Sequence, residues 1–303
     1  MTDVHVHLAA LPTKANGCLL SKRMRKSAIT HLVAWSQGLP LDDAETANAR
    51  YLERLSAELG RSKVVKKAVL LAMDGVYDAS GRLDEAKTDF LIANDCVLAA
   101  AKGSDRFLAG VSINPSRRDA VEEAERCADG GAVLVKILPN AQCFDPSESR
   151  FRALYKTMAK RKLALLSHVG FEFSLIGQDQ SVGDPARLRM ALDEGVTVIA
   201  AHGCSTGLFL WEKYLGTMKE LVAKYPRFYV DTSALTLPNR VGALWRLSRM
   251  PEFNERFLFG TDYPLPVFGW GKSWGADNRF DRQADVLSAS GLPPRLDFAS
   301  LPR

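Results

Sequence analysis

The chain has 303 residues, of which 47% are hydrophobic and 25% are charged, and these ordinary globular values exclude a disordered or fibrous protein. The formal net charge of +5 is modest for this length, so it suits an anionic small molecule and argues against nucleic acid as a partner. Neither a long uncharged apolar run nor a basic leader is found, which predicts a soluble, cytoplasmic protein that does not contact membranes.

The five cysteines are scattered and include no Cys-x-x-Cys pair, which argues against a disulfide framework and against a thiolate metal site. Eight short, β-branched apolar runs predict strands. They cover residues 2–8, 67–73, 107–113, 132–138, 163–168, 197–201, 228–231 and 257–260. Amphipathic segments between them predict helices at residues 46–59, 88–102, 118–129, 149–160, 185–194 and 216–224.

Strands that alternate with helices indicate the α/β class and predict a (β/α)8 TIM barrel that forms a single domain over residues 1–303. An open doubly wound sheet is the alternative. It is disfavoured because no Gly-x-Gly-x-x-Gly loop follows any predicted strand.

The first predicted strand carries His5 and His7. Because side chains alternate along a strand, both imidazoles lie on one face, where they can bind one metal ion; a solvent-facing pair is the alternative. A long segment, residues 9–43, follows this strand and carries a basic run that includes Arg23 and Arg25. These arginines either form a solvated patch or bind a substrate carboxylate.

The fourth predicted strand contains Lys136 in an otherwise apolar run, and a charge in that position needs a partner or a function. His168 and His202 end the fifth and sixth strands, and Asp262 follows the eighth. The carboxyl ends of barrel strands meet at one face, so these groups are expected to converge there.

Asn140 and Glu172 follow the fourth and fifth strands and are candidates for the pocket wall. A second long segment, residues 264–282, contains Trp270 and Trp274 and is expected on the same face as residues 9–43. Asp231 ends the seventh strand, where it either orients His202 or holds the barrel top together.

His-x-His on the first strand, histidines ending the fifth and sixth, and Gly260-Thr261-Asp262-Tyr263-Pro264 after the eighth resemble the amidohydrolase superfamily. The branch that this pattern resembles is called amidohydrolase-related or amidohydrolase 2, and the resemblance extends from Asp3 to Asp262. It implies a barrel with a divalent metal, usually zinc, that hydrolyses amides, esters or lactones. One group in the family instead decarboxylates unsaturated or aromatic acids.

Carried to this chain, the resemblance implies that His5, His7, His168 and Asp262 bind one metal ion. Zn²⁺ is expected, with Mn²⁺ or Fe²⁺ as alternatives. Asp262 would also accept a proton from the attacking water, and His202 would act as acid/base or electrophile. Lys136 would contact substrate; a carbamylated lysine that bridges two metals is the less favoured reading.

The sequence therefore predicts a metal-dependent hydrolase of a small organic molecule with an amide, ester or lactone carbonyl. A decarboxylase on the same site is the closest alternative, and a catalytically idle ligand-binding barrel is less favoured. A homo-oligomer is compatible with the sequence, which does not specify one.

Overall fold

A computed structural model describes residues 1–173, 175, 179–250, 253, 255–268 and 278–302. The strands are β1 Thr2–His7, β2 Leu19–Leu20, β3 Lys67–Leu71, β4 Phe90–Leu91, β5 Phe107–Ser112, β6 Ala132–Ile137, β7 Ala164–Ser167, β8 Val198–Ala200, β9 Phe228–Asp231 and β10 Phe257–Leu258. Eight parallel strands follow one another around a nearly closed barrel, in the order β1-β3-β5-β6-β7-β8-β9-β10, and confirm the predicted architecture.

Helices connect the strands and lie outside the barrel or over its upper end. They are α1 Lys22–Arg25, α2 Ala28–Gln37, α3 Ala44–Arg61, α4 Asn94–Lys102, α5 Ala120–Asp129, α6 Pro139–Gln142, α7 Arg152–Lys160, α8 Arg189–Asp193, α9 Leu215–Lys224, α10 Val241–Leu247 and α11 Arg279–Ala289. Among the described residues, no helix is both long enough and apolar enough to cross a membrane.

Three of the predicted helices differ from those observed. The segment predicted as a helix from residue 88 begins its helix only at Asn94, because Phe90 and Leu91 pair instead with β2 in an antiparallel ladder. The other two segments, 149–160 and 185–194, start as 3₁₀ turns at Ser149–Phe151 and Pro185–Leu188, before α7 and α8. In the first case a tertiary strand pairing overrides the local helical pattern.

The segment 9–43, which we call the top-face segment, contains β2, α1 and α2 rather than an irregular loop. Leu20 pairs with Phe90, which fixes the segment beside the exit of β3. On α2, Ile29 and Val33 are half-buried on one face, whereas Leu32 and Trp35 are exposed on the other. The one-sided pattern shows that α2 packs inward over the barrel opening.

The barrel lumen is filled by a cluster of buried side chains from successive strands, separate from the larger core between barrel and helices. Val69, Leu134, Leu166, Ile199 and Tyr229 belong to this cluster. Phe298 and Leu301, near the C-terminus, pack against it as well. Because side chains alternate along each strand, the position two residues beyond each of these also faces the lumen.

The first strand contains an irregularity that affects the site. Its register with β3 shifts between Asp3 and Val6, so Val4 packs in the lumen cluster while Val6 packs outside the barrel. Bulges of this kind redirect side chains. In β1 the shift allows His5, adjacent to Val4, to turn toward the lumen as well.

Asp3 joins the first strand to the end of the last. It is fully buried, and its carboxylate accepts hydrogen bonds from His5 N (2.9 Å), Thr261 N (3.2 Å) and Thr261 Oγ1 (2.6 Å). Nearby, Val4 N donates to Phe259 O and Asp262 N donates to His5 O, both at 2.9 Å. These bonds close the barrel and set the position of His5 relative to Asp262.

We expect Asp3→Ala to lower the free energy of unfolding by about 2–3 kcal/mol, because it leaves three buried donors without an acceptor. Urea denaturation followed by circular dichroism measures this. The control is Asp95→Ala, whose carboxylate is exposed in an ion pair with Arg126 and whose loss should cost less than about 0.5 kcal/mol. Equal stability of the two variants would contradict the closing role of Asp3.

Candidate metal centre

The candidate site is the top layer of the barrel lumen. Lys136 lies two residues beyond Leu134, His168 two beyond Leu166, and Asp231 two beyond Tyr229. Strand alternation therefore brings these polar side chains above the apolar lumen cluster at the carboxyl ends of the strands. All three are nearly or fully buried.

Three of the predicted ligands converge closely. His5 Nε2 lies 3.2 Å from His7 Nε2 and 3.4 Å from Asp262 Oδ1, and His7 Nε2 lies 3.1 Å from the same oxygen. Ligand atoms about 2.1 Å from one ion at tetrahedral angles lie roughly 3.4 Å apart. The donor set and its spacing fit a single transition-metal ion.

Asp231 determines which nitrogen of His5 has a lone pair available to bind a metal ion. Its Oδ2 accepts a hydrogen bond from His5 Nδ1 at 2.7 Å, so the proton of the neutral ring is on Nδ1 and the lone pair is on Nε2. Burial lowers the pKa of His5 and keeps the ring neutral. A carboxylate that orients a histidine in this way is the usual outer partner of a metal ligand.

A second chain of hydrogen bonds leads from Asp231 to His168. Ser233 Oγ donates to Asp231 Oδ1, so His202 Nδ1 donates to Ser233 Oγ at 2.8 Å. His202 Nε2 is then an acceptor for His168 Nδ1, which is 3.2 Å away. Because the proton of the neutral His168 ring is on Nδ1, its lone pair is on Nε2. This buried nitrogen has no hydrogen-bond partner among the described residues.

His168 is held beside the three convergent ligands rather than within their group. His5, His7 and Asp262 have ligand atoms within 4.8 Å of one another, and His168 is not a member of that set. It lines the same cavity as all three. An available imidazole lone pair at the edge of this set is what a fourth ligand requires.

Burial is the main cause of the low pKa values of His168 and His202, which fall well below the usual value. Arg240 contributes to both shifts through its charge. It is itself buried, and its guanidinium donates to Ser205 O at 3.0 Å. Both imidazoles are therefore neutral, as metal binding and proton acceptance require.

Two site residues have unusual backbone conformations. His202 has φ 58° and Asp262 has φ 64°, in the left-handed region that residues other than glycine seldom adopt. Each such residue costs about 1–3 kcal/mol, and such residues cluster at functional sites. Here the cost is offset by bonds that fix both turns: His202 N donates to Asp231 Oδ1 at 2.8 Å, and Asp262 N donates to His5 O.

Lys136 reaches the same site from β6. Its Nζ is 3.4 Å from His5 Nε2, and its side chain is 1% exposed. Burial lowers the pKa of Lys136 to about 8, although the nearby carboxylates oppose the shift. Asp262, in contrast, has a pKa held well below its usual value: burial would raise it, but His5 and a hydrogen bond from His7 outweigh that effect.

The other predicted candidates are placed differently. Arg23 pairs with Asp89 and Arg25 donates to Leu41 O; both are exposed and neither lines the cavity. Asn140 is buried, with its amide donating to Gln180 Oε1 at 3.0 Å, and it does not line the cavity either. Glu172 does line the cavity, and its Oε2 is 3.7 Å from His168 Nε2. Trp270 and Trp274 lie outside the described residues.

Three features could not be assigned from the sequence. The role of Asp231 was left between two options, and the structure shows that it contacts both His5 and the backbone of His202. Ser233 carries one weak signal, since it lies two residues after Asp231. Arg240 gives no signal, because a turn residue nine positions after a strand has no pattern that predicts burial.

Comparison with known proteins supports this description. Residues 2–291 match the family model described as Amidohydrolase. No curated protein matches the chain.

Several solved structures share the fold. An uncharacterised TIM-barrel protein from Bordetella bronchiseptica is 16% identical, with 96% of this chain and 99% of that one covered and a TM-score of 0.60. A protein from Pseudomonas putida, provisionally described as a 2-pyrone-4,6-dicarboxylic acid hydrolase, is 15% identical, with coverage of 96% and 90% and a TM-score of 0.55.

A third structure was solved with a metal and an aromatic acid bound. It is a variant of the 5-carboxyvanillate decarboxylase LigW2 from Novosphingobium aromaticivorans, with manganese and 3-methoxy-4-hydroxy-5-nitrobenzoic acid. It is 15% identical, with coverage of 97% and 94% and a TM-score of 0.53. At these identities the likeness shows a shared barrel fold.

We expect Asp231→Asn to weaken metal binding about 10- to 100-fold, because the amide no longer fixes the proton on His5 Nδ1. Competition with a fluorescent zinc chelator measures the affinity. The control is Asp285→Asn on the exposed side of α11, which should leave the affinity unchanged. Zinc affinity equal to that of the unmodified protein in Asp231→Asn would show that His5 needs no such orientation.

Proposed function

Because this chain belongs to the amidohydrolase family, we propose that it is a metal-dependent hydrolase of a small organic substrate with an amide, ester or lactone carbonyl. The observation that carries the proposal is the convergence of His5 Nε2, His7 Nε2 and Asp262 Oδ1 beside a cavity. His168 is assigned as the fourth ligand on the basis of its available Nε2. Zn²⁺ suits three imidazoles and one carboxylate, and Mn²⁺ or Fe²⁺ are alternatives.

When bound, such a metal polarises the carbonyl and lowers the pKa of a water molecule to about 7. Asp262 is ionised in this site, so its carboxylate can accept the proton of the attacking water. His202 is neutral, and its Nε2 accepts a hydrogen bond from His168 Nδ1 in this structure. We assign His202 as the group that gives up this hydrogen bond, takes the proton from Asp262 on Nε2 and passes it to the leaving group. Ser233 and Asp231 hold its ring by the Nδ1 side.

Decarboxylation is the second candidate, and Lys136 is the observation that favours it. An ammonium group buried 3.4 Å from His5 Nε2 is placed to bind a substrate carboxylate next to the metal ligands. In a hydrolase, the same amine would contact the carbonyl or an anionic substituent of the substrate. The two reactions use one ligand set, so the products distinguish them.

We expect His5→Ala and Asp262→Ala to lose both bound metal and activity, because each removes a convergent ligand. His202→Ala should lower kcat at least about 100-fold while it keeps most of the metal, since proton transfer typically contributes that much. Metal content by plasma mass spectrometry is compared with turnover. If His202→Ala loses metal as completely as His5→Ala, His202 serves the metal centre and is not the proton shuttle.

We expect a panel of lactones, esters, amides and unsaturated acids to give hydrolysis products from at least one carbonyl substrate. Chromatography of the products and detection of released carbon dioxide are run in parallel on zinc- and manganese-loaded protein. Carbon dioxide release without any hydrolysis would replace the hydrolase with the decarboxylase. Binding of zinc, manganese and iron(II) that in each case stays well below one equivalent would exclude both enzymes.

A further inference from the structure

The cavity at the candidate metal centre has two chemically different parts. Its volume is about 220 Å³, and its polar part is formed by the metal-binding candidates with Lys136, His202 and Glu172. Most of the remaining wall is aliphatic and comes from the top-face segment. Leu20, Met24, Ile29, Val33, Leu39 and Leu41 line it.

The few polar side chains on that wall have their hydrogen-bonding groups engaged already. Asn48 accepts from Leu11 N at 2.7 Å and donates to Leu11 O at 2.9 Å. Thr30 Oγ1 donates to Met24 O at 2.7 Å and is bonded to Ser27 Oγ at 3.1 Å. A substrate in this part of the cavity therefore meets a wall that behaves as apolar.

In the part of the chain that the structure describes, positive charge on the cavity wall lies at one end. Among the described residues that line it, Lys136 is the only lysine or arginine, and it lies beside His5. Arg23 and Arg25, the arginines of the top-face segment that could have bound a distant carboxylate, are exposed and bonded elsewhere. A second anionic group on the substrate would thus be buried against aliphatic carbon, which is unfavourable.

We propose that the substrate carries its reacting carbonyl or carboxyl group on an aliphatic chain and has no second charged group at the far end. The inference rests on the proposed function, since the metal centre determines which end of the substrate lies next to Lys136. The aliphatic chain of the substrate would lie between α1, α2 and the upper rim of the barrel. Val33 and Met24 are then residues that determine specificity.

Alkyl hydroxamates test this inference independently of the reaction catalysed, because they bind the metal by the head group and project the chain into the cavity. Calorimetry on zinc-loaded protein should show affinity rising about fourfold per methylene from acetohydroxamate to hexanohydroxamate. The monohydroxamate of suberic acid, which ends in a carboxylate, should bind at least about tenfold more weakly than octanohydroxamate.

Variants on α2 locate the effect. Val33→Asp should weaken octanohydroxamate binding at least about tenfold and leave acetohydroxamate unchanged, whereas Leu32→Asp, on the exposed face of the same helix, should change neither. If Val33→Asp does not fold, Val33→Thr replaces it, because threonine has nearly the same shape as valine. Val33→Thr should also weaken octanohydroxamate binding and leave acetohydroxamate binding unchanged.

The outcomes separate this inference from the proposed function on which it rests. An affinity that is flat with chain length, or higher for the carboxylate-ended compound, overturns the aliphatic specificity and leaves the metal enzyme intact. Failure of acetohydroxamate itself to bind zinc-loaded protein overturns the proposed metal centre, and the inference with it.

Discussion

The carboxylate of Asp231 is the group on which the candidate site depends most. It bonds to His5 through one oxygen and to Ser233 and the backbone of His202 through the other. From these contacts follow the protonation of three imidazoles and the left-handed turn at His202. Burial would raise the pKa of Asp231, but the contacts with His5 and Ser233 hold it below the usual value. A single buried anion thus orients groups that arise from three different strands.

The barrel and most of the polar site could be predicted from the sequence, because strand alternation and the convergence of parallel strand ends are strictly periodic. Lys136 and His168 lie where that periodicity places them. Prediction failed where a non-local contact decides the conformation. The pairing of Phe90 with Leu20 shortened a predicted helix, and the helices α1 and α2 formed in a segment whose sequence indicated only a long loop.

The direction of the hydrogen bonds in the site also could not be predicted from the sequence. Asp231 and Ser233 are ordinary residues after a strand, and only the distances to His5 and His202 show that they select tautomers. The basic run at Arg23 and Arg25 illustrates the opposite case. It was a conspicuous sequence feature, yet its arginines form contacts at the surface. The residue type shows which interactions a side chain can make, whereas its position in the fold decides whether that side chain lines the cavity.

The contacts that close the barrel join residues far apart in the sequence, since Asp3 bonds to Thr261 across 258 positions. A nascent chain therefore carries His5 and His7 long before Asp262 is made, because the strands and helices of residues 8–261 lie between them. Such contacts are slow to form because a long loop must close first. The ligand group of His5, His7 and Asp262 therefore cannot form before residue 262 has been made, and premature termination before that residue leaves a chain that cannot assemble it.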